Sequence, residues 1–438
     1  MLKTLQNAFK VKDVRHRIFY VLMMLVVIRI GSQLPVPGVD GSYFKTWFES
    51  QTGDAFNFLD AFTGGSFSQM SIFALSITPY ITSSIIIQLL TIAIPKLEEM
   101  QRDGEDGRKK LGAITRYVTI GLSLFESIAM AIGFGNKGLI PDNSFVKMVV
   151  VVVALTAGSA FLMWVGEQIN EKGVGNGISI VLLINIVSRI PSDMTTLYES
   201  FMKGKIIAKA LLSGVIIAAI IVGVVILVII LNGAERRIPV QYSKKMQGRK
   251  MMGGQSSHIP LKVNTAGVIP VIFASSIMSF PSVIASFLGK TGGTGIGGKI
   301  LAGMNSNNWF DLEHPWYSIG LVAYIVMVIF FAYFYTSITF NPLEVADNMK
   351  KQGGFIPGIR PGKPTVDSLT KMLNYLIFIG AAGLTIVAVI PFFFNGVFGA
   401  NVSFGGTSII IIVGVILETL KQIESMMLVR NYKGFLDN

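Results

Sequence analysis

Cysteine is absent from the 438 residues, so no disulfide framework and no thiolate metal site can be built. Histidine is scarce: His16, His258 and His314 lie far apart in polar connections, which argues against an imidazole metal centre. Charge is also thin, at 14% of residues against the roughly 25% of ordinary soluble proteins. What fills the space is apolar side chain, 51% of the total. So much of it with so little charge cannot all be hidden in a core, and most must face lipid or other membrane helices. The formal net charge of +12 fits that solvent, because basic residues collect on the side facing cytosol and anionic lipid. No basic stretch is interleaved with stacking aromatics in a soluble domain, so the charge does not read as specific nucleic-acid recognition. A long basic lead-in precedes the first apolar run and no small-residue cleavage site follows it, which reads as a retained segment and not a cleaved signal peptide.

Apolar runs of about 20 residues, the length that spans a bilayer, predict ten helices: 18–35, 72–94, 111–135, 146–168, 177–195, 206–231, 264–288, 316–340, 370–394 and 403–426. The fifth is short and follows the Gly-rich turn from Gly173 to Gly177. Helices are expected because a lipid-facing backbone must satisfy its own hydrogen bonds, and these runs are too long for barrel strands. Lys and Arg fix the orientation. Twenty-five lie in the N-terminal tail, the even-numbered connections and the C-terminal tail, counting Lys421 near the end of the tenth run with the tail, against six in the alternate connections (Lys45, Lys137, Lys203, Lys205, Lys290 and Lys299). That alternation predicts cytosolic termini.

Ten spans divide as five and five, and an odd number per half makes any internal duplication inverted across the membrane. An echo supports it: Thr78-Pro79-Tyr80-Ile81 in the second span and Val268-Ile269-Pro270-Val271 in the seventh place a proline near one end of each. The expected class is therefore an all-α integral membrane protein. Its segments are an amphipathic cytosolic stretch 1–17, an N-terminal half 18–195, a C-terminal half 196–426 with cytosolic loops 232–263 and 341–369, and a tail 427–438.

Enzyme signatures are missing. Gly293 to Ile300 matches a phosphate-binding loop until its last position, where a magnesium-binding hydroxyl is replaced by Ile300, and it falls on the external side. Ion-coupled transport needs ionisable groups deep in the bilayer, and the candidates are Arg29, Arg116 and Glu126. Glu126 can couple protons, face a polar interior or pair with a neighbouring helix. The sixth connection is more telling. Arg236-Arg237, Lys244-Lys245 and Arg249-Lys250 flank an alternating stretch, Ile238 to Tyr242, that suits an exposed hairpin strand. With the Pro/Gly-punctuated eighth connection, Phe355 to Pro364, it reads as a docking surface for a cytosolic partner.

Several stretches then carry a family resemblance: Arg29-Ile-Gly-Ser-Gln-Leu-Pro-Val-Pro-Gly38, Thr78-Pro-Tyr-Ile-Thr-Ser-Ser-Ile-Ile-Ile-Gln-Leu-Leu90, Gly175-Asn-Gly-Ile-Ser179, Gly253-Gly-Gln-Ser-Ser-His-Ile-Pro-Leu-Lys-Val-Asn264, Gly267-Val-Ile-Pro270, Gly358-Ile-Arg-Pro-Gly362 and Gly405-Gly-Thr-Ser408. In this order on a ten-span frame, the chain closely resembles the SecY family, central subunits of the bacterial preprotein translocase, along essentially its whole length. The resemblance implies two inverted five-helix halves around a central hourglass pore in the bacterial cytoplasmic membrane. It implies a pore ring of Ile81, Ile85, Ile178, Leu182, Ile272 and Ile411. Leu182 departs from the more usual isoleucine. Ile81 and Ile85, like Ile178 and Leu182, are four apart and share a helix face, and a narrow apolar collar can dewet and stop ions.

By the same resemblance 57–70 is a plug, with Phe62, Gly64, Gly65, Ser66 and Phe67, small and polar enough in part to leave and return. Spans two, three, seven and eight form a lateral gate with Ser84, Gln88 and Ser275. Gln88 can bond across that seam or within its own bundle. The resemblance further implies SecE and SecG as companions. It makes Arg236, Arg237, Lys244, Lys245, Arg249, Lys250 and Arg360 the contact surface for the SecA ATPase or the ribosome. Signal sequences, unfolded preproteins and lipid are the remaining partners, and no cofactor or catalytic residue is implied.

Overall fold

The structure, a computed structural model, describes residues 6, 8–50, 60, 63–135, 138, 144–203, 207–242, 245–247, 250–252, 256–287, 296–304, 308–309, 315–398 and 406–433. Its helices are α1 (Lys12–Gly31), α2 (Gly41–Ser50), α3 (Thr78–Ala93), α4 (Pro95–Arg102), α5 (Gly104–Gly135), α6 (Phe145–Lys172) and α7 (Gly177–Phe201). They continue with α8 (Ile207–Gly233), α9 (Ile269–Phe287), α10 (Ile296–Met304), α11 (Ser318–Thr339), α12 (Pro342–Lys351), α13 (Lys363–Phe398) and α14 (Gly406–Lys433). The strands are β1 (Glu235–Tyr242), β2 (Lys245–Gln247), β3 (Lys250–Met252), β4 (Ser256–Lys262) and β5 (Gly354–Phe355).

Every one of the ten predicted spans falls on a helix: α1, α3, α5, α6, α7, α8, α9, α11, α13 and α14. Among the described residues six helices are long and apolar enough to cross a membrane by themselves, and α3 with α4 makes a seventh, bent by 103°. The bend falls at Pro95, whose ring pushes the preceding residue out of the helical region; Ile94 is accordingly extended. Large apolar side chains point outward, with Phe125 68%, Phe145 80% and Leu211 70% exposed, as expected when lipid is the solvent on that surface.

Two spans differ from the sequence reading. The second begins as helix only at Thr78, because Ser71 bridges to Pro35 and residues 72–77 are turns. Pro79 is tolerated there only in the first helical turn, and Ser76 just before it takes a left-handed φ of 53°. The fifth is longer than its apolar run, extending 25 residues to Phe201 through Pro191.

The chain forms two compact units. One comprises Met1–Thr196, Ser282–Gly298 and Val415–Asn438; the other comprises Leu197–Pro281 and Lys299–Gly414. A core of the first gathers Phe44, Phe67, Met70, Phe134 and Leu155, with Phe44 and Phe134 edge to face at 4.9 Å between ring centroids.

In the second unit the sixth and eighth connections are a single structure. β1 pairs antiparallel with β4, Ile238 opposite Ile259, and β5 adds to β1 at Gln241 and Tyr242, giving the order β4-β1-β5. Ile238 and Val240 turn inward onto Leu261, Met349, Ile356 and Leu369. The expected exposed hairpin is therefore exposed on one face only, because alternate residues of a strand point to opposite faces. Asn264 Nδ2 donates to Asn232 Oδ1 at 2.7 Å and closes the base of the hairpin at the end of α8. Leu369 is fully buried, so Leu369→Ala should destabilise this subdomain by about 2–5 kcal/mol. It should speed proteolytic cleavage near 245–255, whereas Leu343→Ala at an exposed position should leave the cleavage rate unchanged.

Candidate functional site

Four of the residues proposed for the pore ring lie in the first unit, on the first turns of α3 and α7. Ile81 and Ile85 are half-buried along α3. Ile178 is half-buried and Leu182 is buried on α7. Asn176 caps α7: its Oδ1 accepts the N–H groups of Ile178 and Ser179 at 3.1 and 3.4 Å, satisfying donors that an uncapped helix start leaves open. Asn170 Oδ1 accepts the N–H of Gly177 at 2.7 Å.

The starts of α3 and α7 converge on one small residue of α6. A Cβ on Gly166 would lie 3.5 Å from Ile77 Cδ1 and 3.7 Å from Ile178 N, and one on Gly177 would stand 1.9 Å from Gly166 O. Gly166 and Gly177 thus permit a close helix approach of the kind that small residues allow in membranes.

The segment expected to be a plug is described at Asp60 and from Thr63 on; Phe62 lies outside the described residues. Thr63, Ser66 and Phe67 are buried. Gly64 has φ +69° and a Cβ there would come within 2.8 Å of Asn185 Cα, so the segment rests directly on the backbone of α7. Gly65 is left-handed too, at φ +85°, but faces open space. Arg29 Nη1 and Ser188 Oγ both donate to Gly64 O, at 3.4 and 3.3 Å.

Asp60, only 3% exposed in its side chain, pairs with Arg189 of α7. Its other oxygen accepts the N–H of Ser68 at 2.8 Å. Behind the segment, Asn185 Nδ2 donates to Ser76 Oγ at 3.0 Å and Ser159 Oγ donates to Ser76 O at 3.3 Å. Arg189 is not among the intramembrane candidates that the sequence suggests. The available signal was a basic residue within the fifth apolar run, which lipid tolerates only when it is partnered.

Of the other two intramembrane candidates, Arg116 Nε pairs with Glu167 Oε1 at 2.6 Å. Glu126 is half-buried on α5.

In the second unit Ile272 is half-buried on α9 and Ile411 is buried on α14. Ser275, proposed for the gate, is buried and its hydroxyl bonds the phenol of Tyr324 on α11 at 3.4 Å. Phe273 meets Phe331 edge to face at 5.5 Å, so α9 and α11 are joined at two levels. Ser84 and Gln88 are half-buried and share a face of α3.

Among the basic loop residues, Arg236 and Arg237 are exposed at the start of β1, Arg237 bonding Glu235 beside it at 2.8 Å. Lys245 and Lys250 occupy paired strands β2 and β3, while Lys244 and Arg249 lie outside the described residues. Arg360 is exposed on a turn bracketed by left-handed Gly358 and Gly362, φ +83° and +105°. Glycine's freedom at φ > 0 lets that turn present a charge without a helix beneath it.

The SecY family model matches residues 71–420. The chain is 44% identical over 443 residues to a protein translocase subunit SecY of Halalkalibacterium halodurans, covering 100% of both chains. It is 44% identical over 451 residues to that of Bacillus subtilis, again covering 100% of each. A solved structure of a protein conducting channel shares the fold at TM-score 0.63 and 18% identity, over 94% of this chain and 92% of the other. Sec61 in a canine ribosome-channel complex from the endoplasmic reticulum does so at TM-score 0.61 and 18% identity, over 94% and 92%.

The Asp60–Arg189 pair generates a test of the seated segment. Asp60→Ala leaves the part-buried Arg189 guanidinium without this partner, a loss of about 1–3 kcal/mol, so a cysteine at buried Ser66 should become reactive to a water-soluble maleimide. The pair is the seat if Asp60→Glu restores protection; equal protection in Asp60→Ala would show that the ion pair does not hold the segment.

Proposed function

The chain belongs to the SecY family, and from that premise we propose that it forms the channel through which unfolded secretory chains cross the bacterial cytoplasmic membrane and from which membrane segments leave sideways into lipid. It is a multi-pass membrane protein and a translocase subunit, not an enzyme. The observation that carries the reading is local: apolar Ile81, Ile85, Ile178 and Leu182 sit on two helix starts that converge on Gly166, beside a segment seated by polar contacts on the same helix α7.

In this reading the two halves, 18–195 and 196–426, are inverted repeats around an hourglass pore, and both termini are cytosolic. Ile272 and Ile411 complete the ring. A collar of branched apolar side chains holds no water column in the resting state, yet it yields around a passing chain because it offers no directional bonds. Residues 57–70 are the plug. Their polar anchors are few enough to release when a signal helix stabilises the open state, which shifts a pre-existing equilibrium. Ser84, Gln88 and Ser275 belong to the lateral gate. Ser275 bonds Tyr324 of the neighbouring gate helix, and Ser84 and Gln88 are the other polar groups of the gate in this reading.

Energy comes from outside the chain. The one-faced sheet and the exposed Arg360 turn form a rigid platform for SecA or the ribosome, a reading supported by the fold shared with ribosome-bound Sec61. Arg236, Arg237, Lys244, Lys245, Arg249 and Lys250 add positive charge to that platform. SecE and SecG are the expected membrane companions.

Because the chain lacks cysteine, the pore assignment is directly testable. Ile85→Cys, reconstituted with SecE and SecA, should form a disulfide with a stalled precursor carrying one cysteine, and only when ATP is supplied. No crosslink at Ile85 or Ile411, with an active motor and intact signal sequence, would remove the pore assignment and return attention to Glu126 and solute transport. Reversing the charge at the exposed turn, Arg360→Glu, should cut SecA-driven translocation by at least about tenfold, as expected for a buried interfacial charge contact, while leaving the folded channel intact. Full transport by that variant would remove Arg360 from the motor contact.

A further inference from the structure

The turn between α6 and α7 is gripped by both ends of the chain. Arg17 Nη1, from α1, donates to Gly173 O at 3.1 Å. The N–H of Gly175 donates to Gln422 Oε1, from α14, at 2.6 Å. Between them Val174 is buried with Val14 of α1 and Ile423 of α14. Gly175 has φ +90°, and a Cβ there would meet Thr419 Oγ1 at 2.8 Å, so α14 lies directly on the turn. Three consecutive residues, 173 to 175, are thereby held by the terminal helices. Asn176 then caps α7, and Ile178 and Leu182 follow on its first turns.

We propose that Arg17 and Gln422 are positioning residues that set the depth of Ile178 and Leu182, making the two terminal helices part of the seal. The inference rests on the pore reading above. Its physical basis is that a capped helix start has little freedom of its own: once residues 173–176 are fixed, the register of α7 is fixed with them. Gln422 also lies eleven residues beyond Ile411 on the continuous helix α14, close to three full turns and so on the same face. The bond from Gly175 therefore sets the register of α7 against the helix that carries another proposed ring residue. Neither Arg17 nor Gln422 touches a translocating chain in this scheme; both act through the turn.

The test uses the full chain in its reconstituted membrane complex, with Leu182→Cys as reporter and a water-soluble maleimide as probe. Gln422→Ala should raise the reaction rate at position 182 about threefold to tenfold, the range that one hydrogen bond spans, and should raise ion leak through the resting channel. Gln422→Glu keeps the accepting oxygen and should behave as the parent. A second reporter, Ala346→Cys, is buried in the other unit and should stay unreactive throughout. Unchanged reactivity at 182 in Gln422→Ala overturns the proposal. So does a parallel rise at 346, which would mean general loosening, or equal behaviour of the Glu and Ala variants. A rise at 182 without added ion leak upholds the clamp and counts against the ring, so failure of the pore reading is distinguishable from failure of the inference.

Discussion

Lipid offers no hydrogen bonds, and the architecture follows from that. Each backbone N–H and C=O inside the bilayer must find its partner within the protein, so apolar runs become helices and irregular backbone survives only where protein surrounds it. Residues 63–77 show the exception and its conditions. They are mostly turns, yet most are buried, and their polar groups are met one by one. Val36 N–H bonds Met70 O, and Ile72 N–H bonds Leu34 O. Ser76 takes bonds from two different helices. A segment satisfied by side chains and isolated bridges can be detached at limited cost, whereas a helix of the same length would have to break its own ladder.

The same constraint explains why the proposed ring is placed by small residues. Helices in a membrane gain little from burying apolar surface against each other, because lipid is equally apolar; they associate where backbones approach closely. Gly166 and Gly177 supply that approach. Close backbone contact is stiff, and stiffness at the helix starts leaves the collar free to be soft. Branched apolar side chains can part around any sequence, provided the helices that carry them return to one register. The proposed depth control by the terminal helices through residues 173–175 would meet that requirement without adding a polar group to the proposed collar.

Outside the bilayer the rules of soluble proteins return. The sheet β4-β1-β5 buries one face on α12 and the start of α13 and leaves the other to charge. Its core is small, and the Asn232–Asn264 bond at its base couples it to the end of α8. The sheet is a packed element, not a loose loop.

Much of the frame was legible in the sequence because its determinants are one-dimensional. Apolar run length placed all ten spans, since that signal adds up along the chain without regard to what packs where; the orientation expected from the alternation of Lys and Arg stays a proposal. Two departures had local causes, Pro79 with left-handed Ser76 at the second span and the continuation of α7 beyond its apolar run to Phe201. The individual ring positions were not readable from composition or period, because an isoleucine in a membrane helix looks the same whether it faces a pore or lipid. The positions proposed for the ring rest on the resemblance. The partnerships Asp60–Arg189, Ser76–Asn185 and Gly175–Gln422 join residues far apart in the chain, and no spacing announces them. The sequence by itself determined the solvent, the number of spans and their chemistry, which depend on sums over neighbouring residues. Only the tertiary structure decided which polar groups meet and which glycines must stay bare, because those depend on distances between backbones that chain order does not encode.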